Sequence, residues 1–205
     1  MTLGYPSTAY VWFDTEYSGL ELDKAVLLQV AMIITDANLE RLAPKEEDIN
    51  LFVKLPRGKK VSPWVMENMP DLVKKCRSAD AVSVKEVDRR LCEAVERAVV
   101  VPAGEDKRKP VLAGNSIHCD WFLARKFLPT FLHRLHYRHL DVTALKLEWQ
   151  DWFKGEEFDK SHGELTAKFF AGSDTQVSGR QHDAYYDVQA SIAELNYYRK
   201  CLMKV

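Results

Sequence analysis

The chain has 205 residues, 46% of them apolar and 29% charged, which suits one domain with a full-sized core and excludes a disordered chain. Lys and Arg number 29 against 30 Asp and Glu, so long-range attraction of a nucleic-acid duplex is not a property of the whole molecule, although a local basic patch remains open. Cys76, Cys92, Cys119 and Cys201 lack any C-x-x-C spacing, which sets aside a zinc framework and a disulfide scaffold. MTLGYPSTAY shows no basic-then-apolar targeting pattern and no run is long enough to span a bilayer, so the expectation is an intracellular protein with no membrane partner, cytoplasmic first and mitochondrial as the alternative.

In chain order, TAYVWFD (8–14) and VLLQVAMIITD (26–36) are rich in β-branched and aromatic residues and read as neighbouring strands across a Gly-containing turn. INLFVKL (49–55) is a third strand, followed by a loop bearing Pro, Gly and Lys. Val84, Val87, Leu91, Ala94, Val95, Ala98 and Val99 recur at helical spacing behind Ser83 and Glu86, which have the spacing of a capping box. VLAGN (111–115) predicts a short strand, 120–129 a helix stopped by Pro129, HLDVT (139–143) a strand and 143–153 a helix. Residues 154–180 carry four of the nine glycines without clear periodicity and predict a long loop or partly ordered excursion. A last helix from about His182 to Cys201 shows one face through Ala184, Val188, Ile192 and Leu195. Strands first, then alternating helices and strands, predict a single α/β domain over 1–205 with a mixed central sheet flanked by helices.

Asp14 and Glu16 end the first strand one residue apart, and positions i and i+2 share a strand face. Two neighbouring carboxylates repel, and burial worsens this, so the pair asks for a cation; an ordinary exposed loop pair is the plain alternative. Hard ions such as Mg²⁺ or Mn²⁺ favour such oxygens, and no His/Cys cluster competes for a softer metal. Asp120 enters where a short strand turns into a helix, a place where helix capping is the better account of an Asp taken alone. His182 and Asp187 are five positions apart, about 140° on a continuous helix, so His182 belongs before the helix or in its first turn while Asp187 points inward. Asp183 and Asp187 form a rival pair four apart, with Asp183 assigned to capping or the first-turn dipole role, and an exposed helix-start residue is the commonest reading of His182 taken alone. Together the set suits two divalent ions and an activated water.

The motifs DTEYSGL, AGNSIHCDWFLARKFLP, LHYRHLDVTALK and HDAYYDVQASIAELNYYR resemble the oligoribonucleases among the DEDDh 3′-to-5′ exonucleases, from about Tyr10 to Tyr198. The resemblance implies an RNase H-like exonuclease fold. Asp14, Glu16, Asp120 and Asp187 would hold two Mg²⁺ or Mn²⁺ ions, and His182 would be the general base that deprotonates the attacking water. It further implies a homodimer that degrades dinucleotides and very short single-stranded RNA to nucleoside 5′-monophosphates. Leu20 would wedge against a base and Trp64 line the nucleotide site. Tyr137, Arg138 and Thr143 would lie in the segment that caps the 5′ phosphate, partly across the dimer interface. Leu20 and Trp64 can equally be packing residues and Arg138 can pair with a surface acid. Thr15, Tyr17, Ser18 and Gln29 depart from the family pattern, as do the shorter segment around Trp64, the longer 154–180 excursion and Ser178–Gln181 ahead of the His. Two other readings stay open: an exonuclease that also trims longer RNA or DNA, and a catalytically weak binding or assembly module.

Overall fold

A computed structural model describes residues 9–170 and 177–202. Five strands, β1 (Tyr10–Tyr17), β2 (Leu27–Thr35), β3 (Ile49–Phe52), β4 (Val111–Gly114) and β5 (His139–Asp141), form one sheet in the order β3-β2-β1-β4-β5. β1 pairs antiparallel with β2 and parallel with β4, so the sheet is mixed as the element order predicts. The helices are α1 (Pro63–Asn68), α2 (Pro70–Cys76), α3 (Val84–Ala98), α4 (Ile117–Phe127), α5 (Pro129–His133), α6 (Val142–Glu148), α7 (Gly163–Phe169) and α8 (Ala184–Leu202).

Every residue of β2 is buried because the sheet is covered on both sides, which explains its continuous apolar run. Val11 and Phe13 of β1 join Val30, Met32, Leu91, Leu123 and Phe131 on one side. Trp12 joins Ala31, Ile33, Val188, Ile192 and Tyr198 on the other. Strand alternation carried two residues further puts Asp14 and Glu16 on the α8 side and Thr15 on the α4 side. Gly114 ends β4 against this centre, where a Cβ would stand 2.8 Å from the Phe13 carbonyl oxygen, so a larger residue would push the strands apart.

Pro129 does not merely stop a helix. It opens α5, whose first amides are capped from α3: Asp88 accepts from Thr130 N at 3.2 Å and Phe131 N at 2.8 Å. An Asp88→Ala variant strands both donors in a buried site and is expected to cost about 1–3 kcal/mol. Thermal unfolding should register this as a loss of roughly 2–4 °C per kcal/mol, and an unchanged midpoint would contradict it.

The 154–180 excursion is more ordered than its sequence predicts over its first part. The predicted 143–153 helix closes as a π-helical turn at Trp149–Phe153, and α7 follows. This segment docks on α8 through hydrogen bonds that leave no sequence period. Trp149 Nε1 and the Tyr197 hydroxyl both donate to the Glu156 carbonyl, Tyr186 OH donates to the Lys160 carbonyl at 2.6 Å, and Asn196 Nδ2 donates to the Phe169 carbonyl. Covered by the sheet on one side and α7 on the other, α8 is buried around most of its circumference from Ala184 to Leu195, rather than on one face. Among the described residues no helix is long and apolar enough to cross a membrane.

Candidate active site

The end of β1 meets the first turn of α8, and there Asp14, Glu16 and Asp187 each bring a carboxylate oxygen within 4.8 Å of the others. Asp14 and Glu16 are half-buried and Asp187 is buried. Asp120, in the first turn of α4, is not among these three mutually close carboxylates, but it lies near enough for its charge to act on Asp14. Asp120 Oδ1 accepts from Thr15 N at 2.8 Å and from Thr15 Oγ1 at 2.7 Å. The β1 alternation thus gives Thr15, whose presence the motif left unexplained, the work of orienting the fourth acid.

The α4 entry is set by Ser116, which is left-handed with φ 49°. Asp141 Oδ1 and Thr143 Oγ1 both accept from Ser116 N, at 3.0 and 2.8 Å. Asn115 Nδ2 donates to Ser191 Oγ at 3.0 Å and to the buried Glu194 at 2.9 Å, tying the same turn to α8. Thr143 is therefore engaged in shaping the turn that launches Asp120. Gln29 performs a comparable task for the start of α8. Its Nε2 donates to Asn50 at 2.8 Å and Asp183 at 3.3 Å, and its Oε1 accepts from Ala184 N at 3.4 Å. Asp183 caps the helix by accepting from Tyr185 N at 3.0 Å.

His182 lies before α8, exposed, with a left-handed φ of 66°. Its backbone N donates to Asp187 Oδ2 at 3.0 Å, and its ring stands edge-on to Trp64 with centroids 5.6 Å apart. Trp64 sits in α1, capped by Ser62, whose own N donates to the Ser18 carbonyl at 2.7 Å and so joins α1 to the turn carrying Leu20. Leu20 is 90% and Trp64 52% exposed. Tyr137 and Arg138 are exposed on the β5 approach, with the guanidinium 5.6 Å over the Tyr137 ring. Lys160 is the residue that sequence reasoning missed: its Nζ lies 3.1 Å from Asp187 Oδ1. Only the docking of the excursion brings it there, 27 positions before its partner.

Electrostatics follow from this crowding. Burial, then the charges of Asp120, Asp187 and Glu16, hold the Asp14 pKa well above the usual carboxylate range. Burial and then Asp187, Asp120 and Asp183 push Glu16 up to about 8. Burial raises Asp120 as well, against the lowering effect of its two Thr15 hydrogen bonds. A cluster of all-oxygen donors that resists ionisation is matched by a hard divalent cation, so the residues fit Mg²⁺ or Mn²⁺. Linkage gives the sign: with the folded pKa raised, the folded state holds more protons than the unfolded chain between 4.5 and about 8 for Glu16, and stability is lost as pH rises through that window. The unfolding temperature in chelator is expected to fall across it, while the extra stability given by added Mn²⁺ grows, since ion and proton compete. A chelated midpoint that rises from about pH 5 to 8 would contradict this.

A mixed five-stranded sheet with paired acids at the end of its central strand places oxygen donors where a hard divalent cation would fit. The profile of the RNase T family, described as exonuclease, matches residues 11–195, and the chain belongs to that family of 3′-to-5′ exonucleases, which are phosphodiester hydrolases. A probable oligoribonuclease of Schizosaccharomyces pombe is 31% identical over 193 residues, 92% of this chain and 66% of its own length. A probable oligoribonuclease of Dictyostelium discoideum is 30% identical over 202 residues, covering 97% of this chain and 92% of its own length. An oligoribonuclease of Francisella tularensis is 28% identical over 196 residues, 95% of this chain and 96% of its own. In fold the chain is similar to the zinc-bound Escherichia coli ExoI–ssDNA complex, with TM-score 0.68 and 14% identity over 97% of this chain and 42% of that one. It is also similar to the Mg²⁺- and Mn²⁺-bound form of S. pombe Pop2p, with TM-score 0.63 and 11% identity over 93% of this chain and 82% of that one.

Proposed function

We propose that this protein is a metal-dependent 3′-to-5′ exoribonuclease that cleaves dinucleotides and very short oligoribonucleotides to nucleoside 5′-monophosphates. The observation that carries the reading is the convergence of Asp14, Glu16 and Asp187 within 4.8 Å, with His182 joined to Asp187 through its backbone. Names borne by relatives near 30% identity supply the substrate class.

In this reading Asp14, Glu16, Asp120 and Asp187 hold two divalent ions, Mg²⁺ or Mn²⁺. Such ions, when bound, supply positive charge to the scissile phosphate and to the departing 3′ oxygen. The His182 imidazole, exposed at the mouth, takes the proton of the attacking water as general base. Trp64 steadies that ring from the side and offers an aromatic face to a base, and Leu20 separates one base from the next. Arg138 suits a terminal phosphate because its guanidinium fork matches two phosphate oxygens. A homodimer belongs to the same reading: Tyr137, Leu147 and Trp152 put exposed apolar surface on the β5–α6 side, which a second copy would cover.

A length series tests it. With Mn²⁺, a 5′-phosphorylated diribonucleotide is expected to turn over at least tenfold faster than strands of about twenty nucleotides, a difference of about 1.4 kcal/mol. Comparable turnover of long and short strands would favour the exonuclease that trims longer ends, and no mononucleotide release at all would favour the binding module.

A further inference from the structure

The excursion delivers a cation into a site built for cations. Lys160 Nζ contacts Asp187 Oδ1 at 3.1 Å while His182 N occupies Asp187 Oδ2, so both oxygens of this carboxylate already face protein donors. The contact is not a chance meeting of two surface side chains. The Lys160 side chain is 32% exposed and that of Asp187 10%. The Lys160 backbone is fixed by Tyr186 OH, which donates to its carbonyl at 2.6 Å from the position on α8 just before Asp187. Helix α8 therefore carries the carboxylate and anchors the lysine that reaches it.

Building on the metal reading above, we infer that Lys160 is a tethered competitor: its ammonium and a divalent ion contend for Asp187, and filling the site displaces the lysine. The argument is one of charge and space. A divalent ion on Asp187 Oδ1 would sit at about 2.1 Å, within a few ångströms of an ammonium that shares the same oxygen. Two cations so close in a half-buried pocket repel far more than they would in water. The Lys160 ammonium enters this contest already paired with the Asp187 carboxylate at 3.1 Å. Its four-carbon stem can swing while the anchored backbone stays in place.

The test measures metal binding rather than turnover. Mn²⁺ affinity, read from the electron paramagnetic resonance of free Mn²⁺, is expected to rise about tenfold or more in Lys160→Met, to stay near the wild-type value in Lys160→Arg, and to stay unchanged in Lys54→Met, a control for net charge. Equal or weaker Mn²⁺ affinity in Lys160→Met, or equal tightening in Lys54→Met, overturns the inference. A second measurement needs no variant. Reductive methylation of the wild-type protein, read by mass spectrometry, is expected to label Lys160 more readily as Mn²⁺ is added while Lys54 and Lys74 keep constant labelling. Unchanged or falling Lys160 labelling overturns the inference even should Lys160→Met fail to fold. Absence of Mn²⁺ binding to wild type and variant alike overturns the metal reading along with it, whereas equal binding to both overturns the competitor role alone.

Discussion

An Asp14→Asn variant is expected to lose about 10³-fold or more of diribonucleotide hydrolysis, roughly 4 kcal/mol of transition-state stabilisation. Without metal it is expected to unfold at a higher temperature than the wild-type protein. Both follow from one circumstance. Asp14 sits on the α8 side of β1 among Glu16, Asp120 and Asp187, whose charges and whose shared burial oppose its ionisation. Neutralising it removes that repulsion, a gain of about 0.5–2 kcal/mol if it is of the size usual for a stabilising substitution, and removes the negative charge that a divalent ion needs. Rates with saturating Mn²⁺ and melting in chelator check the two halves separately. Full activity would show that the acids are misassigned, and a lower chelated midpoint would show that Asp14 stabilises the fold.

Substituting His182 is expected to cost about 10²–10⁴-fold in rate, the range for a lost general base, with Mn²⁺ affinity within a few-fold of wild type. The imidazole leans on Trp64 rather than on the acids, and only the backbone N touches Asp187. Asn is the replacement of choice because it tolerates the left-handed backbone found at this position, so the lesion stays in the side chain. A rate within threefold of wild type would remove His182 from the chemistry. A large fall in Mn²⁺ affinity would instead place it among the residues that build the metal site.

Much of this was legible because period and spacing are local properties. The β1 and β2 runs, the α3 face behind Ser83 and the length of α8 each repeat within a few residues, and the structure places them within three residues of their predicted bounds, β1 running on from Asp14 to Tyr17. Asp14 and Glu16 were readable for the same reason, since strand alternation alone puts them on one side. What escaped is what depends on distant partners. Pro63 and Pro70 look like loop punctuation, yet each opens a short helix, because Pro suits a first helical turn. The order of residues 154–170 comes from aromatic rings and carbonyls meeting α8, with Phe158 and Phe169 packed on Tyr197, and such contacts leave no period to read. Lys160 was invisible on the same account. Thr15 and Gln29 registered only as departures from a pattern; their partners, Asp120 and Ala184, lie 105 and 155 positions away.

The left-handed turn at His182 links the residues more tightly than their roles suggest. A non-glycine residue in that conformation carries about 1–2 kcal/mol of steric cost, and the hydrogen bond from its N to Asp187 Oδ2 is one of the contacts that offset it. Asp187 is thus both a donor of charge to the acidic trio and a clasp on the backbone that presents the imidazole. Because the two residues share this bond, the losses from substituting each are expected to overlap rather than add. Whatever pulls Asp187 Oδ2 away from that amide frees the strained turn, so occupancy among the carboxylates and the aim of the imidazole are coupled through a single bond.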